Sequence, residues 1–290
     1  MVATGHFLIF HCDHVAVRAH CSLWSEDGNG YDRSAFGGFM QTRTMLARAS
    51  VSIFLAAGIL AAAQDSAEAQ DSGKVGPPLE TVKTFGDDFR LVGIGVSIEG
   101  RVFATAPSSH VRSRFSMVEV DPKTGAVTPY PDAAWNNFSE QGNGKSEWVS
   151  VQALWVDKSD HLWALDSSLS KVDQERLPPK LVEFDLSTNR VIRQYDFKGV
   201  VSAKDSLNDV RVDTLHGYAY LTNAGSKGSL VVLDLKSGEA RQVLVGDRST
   251  FADPSQHLMI GNEVALRPDD SVVAIHADGI ALSPDTQWFY

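Results

Sequence analysis

Two hairpin patterns alternate along this chain, and their alternation is what most limits the fold it can take. The first is an apolar strand, a polar turn and an aromatic strand. It recurs at Val92–Ala106, Gln152–Asp166, Asn208–Asn223 and Asp278–Tyr290, with cores such as LWVDKSDHLWALD, VRVDTLHGYAYLTN and IALSPDTQWFY. The second is apolar-x-apolar-Asp, a short turn and an apolar strand. It recurs at Met117–Tyr130, Leu181–Phe197 and Leu230–Leu244. Apolar residues fall at a period near two, with β-branched and aromatic side chains, and no amphipathic helix is read after residue 91. Between the strands, Glu99-Gly100, Thr188-Asn189 and His216-Gly217 supply residues that take positive φ at little cost. One hairpin of each kind makes a four-stranded unit, and Asp157 to Asp213 sets a repeat of about 56 residues. Such a unit cannot bury its faces alone, so neighbours must stack. The expected fold is all-β, a β-propeller, with the chain holding about three and a half to four blades. The alternative is a β-sandwich whose hairpins are alike by chance.

The first 90 residues carry a different pattern. Residues 40–69 read as a secretory signal: Arg43 and Arg48, then the short apolar run Val51–Ala63, then Ala67-Glu68-Ala69 as a cleavage site before Gln70. Because such a signal begins near its methionine, and Met40 is well placed, residues 1–39 read as upstream sequence translated from a misplaced start, disordered in the protein. They hold both cysteines, Cys12 and Cys21, with His6, His11, His14 and His20, at spacings that fit no paired zinc pattern. Residues 70–90 form a lead-in and 91–290 the propeller. The mature segment has no cysteine, so its core must hold it together. The expected location is secreted or periplasmic. After the leader no segment is long and apolar enough to span a bilayer. The net charge of −10 argues against nucleic acid, which needs a basic face.

Candidate functional residues come from the repeat. Aligning the first-type hairpins on Val96-Ser97, Val156-Asp157, Val212-Asp213 and Leu282-Ser283 makes Val92, Gln152, Asn208 and Asp278 equivalent. In a propeller the first strand of each blade lines the central channel, so these residues ring one mouth of it. The second strand returns to the same mouth, ending at Thr105, Asp166 and Asn223. Gln152, Asp166, Asn208, Asn223 and Asp278 are therefore the expected ligand-binding set. A mouth lined by carboxylates and amides suits a small molecule or a cation. Strand-end capping is the plainer role for each of them singly. Trp135, Trp148, Trp155, Trp163 and Trp288 read as inter-blade core, and His161 and His216 as surface residues in turns. Gly93-x-Gly95 has no helix after it to make a nucleotide loop. No Ser/His/Asp set or cysteine nucleophile stands out, so no catalytic residue is assigned.

Several stretches resemble the Yellow/major royal jelly protein family: WVSVQALWVDKSDHLWALD (148–166), PPKLVEFDLSTNRVIRQYDF (178–197), LNDVRVDTLHGYAYLTN (207–223), residues 228–244 and DGIALSPDTQWFY (278–290). The short leader and the absence of cysteines make the chain look like a bacterial relative. The resemblance implies a six-bladed propeller. Six repeats of about 56 residues need around 340, so the chain is expected to be a fragment of one. It also implies a range of functions: aromatic-amine binding in the channel, dopachrome tautomerisation, or storage and signalling. A more distant similarity to gluconolactonase/regucalcin propellers implies a divalent cation, Ca²⁺, held by Asn208 and Asp278. That family's usual acidic ligand in the first blade has no match near Val92. The leading reading is a secreted small-molecule binder for an aromatic amine or lactone-like compound. A cation-dependent lactonase or dopachrome tautomerase-like enzyme and a non-catalytic interaction propeller are the alternatives; whether the chain is an enzyme stays open.

Overall fold

The structure, a computed structural model, describes the backbone of residues 5–9 and 17–19, and residues 80–290 except 109–112, 139–142, 169–176, 203, 226 and 268. The chain divides into two units, and everything described lies in the first, Met1–Asp27 with Leu79–Tyr290. The leader at 40–69 and most of 1–39 lie outside the described residues.

Strands β1 (Gly5–Ile9), β2 (Val17–Ala19) and β3 (Glu80–Phe85) form a small antiparallel sheet in the order β2-β1-β3. Three four-stranded antiparallel sheets follow. Blade A is β4 (Gly93–Val96), β5 (Val102–Thr105), β6 (Met117–Val120) and β7 (Val127–Pro129). Blade B is β8 (Val151–Val156), β9 (His161–Asp166), β10 (Lys180–Asp185) and β11 (Arg190–Asp196). Blade C is β12 (Leu207–Asp213), β13 (Tyr218–Asn223), β14 (Ser229–Asp234) and β15 (Ala240–Val243). In each blade the strands neighbour one another in chain order, as the hairpin patterns predict, and β8 lies against both β4 and β12. The first strands are thus the inner ones. These are propeller blades, separate sheets stacked side by side, which the sandwich alternative does not produce. Beyond β15, Asp278–Tyr290 forms a further first-type hairpin, with Ala281 and Tyr290 exchanging backbone bonds of 2.9 and 3.0 Å.

Period-two alternation explains the stacking. On β9, Leu162 and Ala164 face the core shared with blade A, whereas Trp163 and Leu165 face the core shared with blade C. Both faces of the sheet are buried, so both sets are apolar. Each large side chain buried this way stabilises by about 1.5–3 kcal/mol. Trp148 and Trp163 are core residues as expected and Trp135 and Trp155 are half-buried, whereas Trp288, expected in the core, is 64% exposed. Arg101 adds a polar clamp across the first junction. It pairs with Glu119 through two 2.8 Å bonds and donates to the Leu186 carbonyl (2.6 Å) and to Asn189 Oδ1 (2.9 Å).

The turn between the two inner strands is built the same way four times. Ser97 Oγ accepts the Arg101 N–H. Asp157 Oδ1 accepts those of Ser159 and His161, Asp213 Oδ1 those of Leu215 and His216, and Ser283 Oγ those of Gln287 and Trp288. A short side-chain oxygen capping its own turn is a local device, and its recurrence fixes the alignment of the four hairpins.

Candidate functional site

The opposite end of the inner strands, where Gln152, Asn208 and Asp278 begin, is the candidate site. Threonine hydroxyls join successive inner strands there. Thr105 Oγ1 accepts the Gly93 N–H (3.0 Å) and lies 3.4 Å from the Gln152 carbonyl of the next blade. Gly93 leaves room for it, since a Cβ at that position would come within 2.6 Å of the hydroxyl. Thr222 Oγ1 accepts the Asp209 N–H (2.9 Å) and donates to the Asp278 carbonyl. Gln152 and Asp278 thus occupy matching places, as the sequence alignment has it. Thr105, however, is the counterpart of Thr222 rather than of Asn223. Gly93 faces Thr105 while its aligned counterpart Ala153 faces Leu165, so Ala106 rather than Thr105 stands at the place that Asp166 holds.

The five sequence-selected residues divide into two kinds. Asp166 and Asn223 reach this end by register, opposite Val151 and Leu207, but are 1% exposed and committed to the protein. The Asp166 carboxylate accepts the Val149 and Ser150 N–H groups (both 2.8 Å) and that of Ser168 (3.1 Å), and pairs with buried Lys180 at 2.5 Å. Asn223 accepts the Ser206 N–H (2.9 Å) and donates to Asp205 (2.8 Å) and Ser229 (3.1 Å). It lines a separate cavity of about 360 Å³ with Asp205, Lys227 and Gln242. Both residues hold the segment leading into their blade against the strand end. Gln152 and Asn208 are half-buried and Asp278 is exposed, so their side chains remain within reach of a ligand.

The structure adds three residues that the repeat alone did not select: Asp209, Arg211 and Trp155. Arg211 Nη1 donates to Asp209 Oδ1 and to the Val210 carbonyl, both at 2.7 Å, and its guanidinium sits 4.9 Å from the Trp155 ring centroid. Asp209 Oδ1 also accepts the Val210 N–H (2.8 Å), and Oδ2 accepts that of Ile280 (3.2 Å). Trp155 Nε1 is buried without a hydrogen-bond partner. The available signal was the alternation in LNDVRVD, which puts Asp209 and Arg211 on one side of an inner strand. The Asp278 carboxyl is held above the usual aspartate range, first by lost hydration on its protein side and second by the charge of Asp209. The two carboxylates therefore feel each other across the junction that Thr222 bridges. No group of three His, Cys, Asp or Glu residues among those described is arranged to hold a metal ion.

Residues 149–287 match the family described as Major royal jelly protein. Over these residues the chain is similar to the Yellow/major royal jelly protein family. The match begins just before β8 and ends inside the Asp278 hairpin, so it contains every candidate site residue from Gln152 to Asp278 and leaves blade A outside. The chain is 28% identical over 188 residues to "Major royal jelly protein 7" of Apis mellifera, covering 60% of this chain and 40% of the relative. To "Major royal jelly protein 1" of the same organism the identity is 29%, over 57% and 38% of the two chains. To "Dopaminechrome tautomerase" of Drosophila melanogaster it is 26%, over 48% and 32%. The chain thus spans about two fifths of the length of the first two relatives. Among solved structures it is similar to Kuenenia stuttgartiensis hydrazine synthase, at a TM-score of 0.43, with 14% identity over 72% of this chain and 51% of that one. Among the described residues no helix is long and apolar enough to cross a membrane.

Proposed function

We propose that this is an exported member of the family that binds a small organic cation, an aromatic amine, at the mouth where its inner strands begin. The observation that carries the reading is the Asp278 carboxyl, open to solvent and raised above its ordinary range beside Asp209. A carboxylate in that position gains more from a bound ammonium group than an isolated surface aspartate does. Gln152 and Asn208 offer neutral acceptors on the neighbouring inner strands, and the Trp155–Arg211 stack offers a flat face for a ring. The pattern over residues 40–69 supports export. Calorimetric titration with a panel of aromatic amines and lactones tests the reading: amines bind the wild-type chain, and Asp278→Asn abolishes the heat. Lactone binding without amine binding would sink it.

The similarity to a dopaminechrome tautomerase favours a second reading in which the same carboxyl moves a proton. A group with a raised pKa is a better base than an ordinary aspartate. Under this reading the chain consumes an aminochrome, and Asp278→Asn stops the consumption while leaving the fold intact. Ca²⁺ is poorly accommodated by the same residues. It takes about six to eight oxygen ligands, whereas the oxygens of Asp209 are already engaged by Arg211 and two backbone N–H groups.

A further inference from the structure

We infer that Arg211 is the selectivity residue of the mouth: it is a built-in counter-ion that keeps divalent metal ions out of a latent carboxylate site and leaves room for one organic monocation. The inference rests on the proposed amine site and assigns its charge rule. Asp209 and Asp278 lie on adjacent inner segments. Thr222 ties the Asp209 N–H to the Asp278 carbonyl, and Asp209 Oδ2 accepts the Ile280 N–H. Such a pair is the start of a hard-cation site, because it brings oxygen-bearing groups of two adjacent segments together. Arg211 takes the Asp209 oxygen that a metal would need. It is fixed on three sides: by the Asp209 carboxylate, by the Val210 carbonyl and by the Trp155 ring. Its side chain is only 20% exposed, as is that of Asp209, so water screens the pair weakly.

The charges then decide the ligand. Two carboxylates against one guanidinium leave one negative charge at the mouth. A monovalent ammonium neutralises it and needs only Asp278 and neutral acceptors. A divalent ion would have to draw Asp209 away from Arg211 and would sit close to a fixed positive charge, which repels it twice as strongly as it repels an ammonium ion.

The test uses the full chain and three substitutions. Arg211→Gln removes the charge, Arg211→Met removes it while keeping the packing on Trp155, and Arg211→Lys keeps the charge. Ca²⁺ titration is followed by calorimetry. Tb³⁺ emission excited through tryptophan gives a second readout, because Trp155 lies beside the site. The wild type and Arg211→Lys should show no binding in the millimolar range. Arg211→Gln and Arg211→Met should gain binding at least tenfold tighter, lost again when Asp209→Asn is added. Equal Ca²⁺ binding by wild type and Arg211→Gln overturns the inference, as does a folded Arg211→Gln and Arg211→Met pair with no gain. Variants that do not fold and are not rescued by Ca²⁺ also count against it, whereas rescue by Ca²⁺ supports it. Phenethylamine is titrated in parallel. If it binds neither the wild type nor the variants while the Ca²⁺ gain appears, the amine reading fails and the role of Arg211 stands.

Discussion

The two ends of the inner hairpins obey different rules. At the turn end, Ser97, Asp157, Asp213 and Ser283 do one job four times, each capping its own turn. At the mouth end, the equivalent places hold Val92, Gln152, Asn208 and Asp278, four unlike residues, of which Asp278 keeps an exposed carboxylate. A repeated device reports what every blade needs in order to close its hairpin. Departure from the repeat reports what the fold leaves free to vary, and it is there that charges meet across blade junctions. The distinction cuts through the mouth itself. Asp166 and Asn223 are strand-end anchors, whereas Gln152, Asn208 and Asp278 are presented outward.

The sharpest way to break this distinction is Asp166→Ala. If Asp166 anchors the blade, its loss strands Lys180, 5% exposed at its side chain, and orphans two or more backbone N–H groups. Removing one partner of a buried ion pair costs about 3–5 kcal/mol. Urea unfolding should show that loss, and a variant of wild-type stability with impaired binding would move Asp166 back among the ligand residues. Next in size is Asp157→Ala at the turn end. It removes the acceptor of two turn N–H groups and of buried Trp163 Nε1 (2.9 Å). Each unsatisfied buried donor costs about 1–3 kcal/mol, and the turn N–H groups can reach water, so a loss of about 2 kcal/mol is expected, with ligand binding unchanged.

Much of the fold was legible because a propeller writes itself into the sequence twice. Leu162/Ala164 and Trp163/Leu165 feed opposite interfaces, so period two shows as a continuous apolar run, and the Asp-turn cores repeat at a readable spacing. The five selected residues lie at one end of the inner hairpins for the same reason. Side-chain direction was not legible. Nothing in HLWALD shows that Asp166 turns back to Val149, Ser150 and Lys180, because those partners come from another strand and a lead-in loop. Arg211 was equally silent, since its meaning depends on Trp155, which lies one blade away. The single-residue offset of Thr105 comes from β5 ending one residue short of the place that Asp166 holds at the end of β9.

Asp278→Asn sharpens the comparison at the mouth. Losing the carboxylate should weaken amine binding at least tenfold, about 1.4 kcal/mol. The fold should not suffer, because a raised carboxyl pKa means that the charged form is disfavoured in the native protein. Amine affinity in the wild type should fall as pH drops through that raised pKa, at a higher pH than for an ordinary aspartate, and Asp278→Asn should remove the pH dependence. Calorimetry across the acidic range reads both. An affinity that is flat with pH would show that another group carries the ammonium.

The smallest effect is expected from Glu183→Gln on blade B, near the turn end. Glu183 Oε1 lies 3.0 Å from His161 Nδ1, yet burial raises its pKa above the ordinary 4.5. Burial is the largest influence, and it is only partly offset by the hydrogen bond and charge of His161 and by Arg193, with Asp157 adding to the rise. Its folded pKa is therefore above its unfolded one. The stability linked to it is fully present below the unfolded value and is lost as pH rises through the folded value, because the native state then carries a charge it disfavours. Glutamine keeps the shape and has no such transition. Wild type should thus lose stability relative to Glu183→Gln over the pH interval just above 4.5, and the difference should stay constant once Glu183 is ionised in both states. Because its partner His161 is one-third exposed and water screens the pair, the change should be a fraction of that seen for Asp157→Ala. Denaturant unfolding of both proteins from mildly acidic to neutral pH measures it. A wild type that gains on the variant as pH rises would mean that the His161 pair outweighs burial. The turn end would then hold a favourable charge pair of its own, and the contrast with the mouth would narrow.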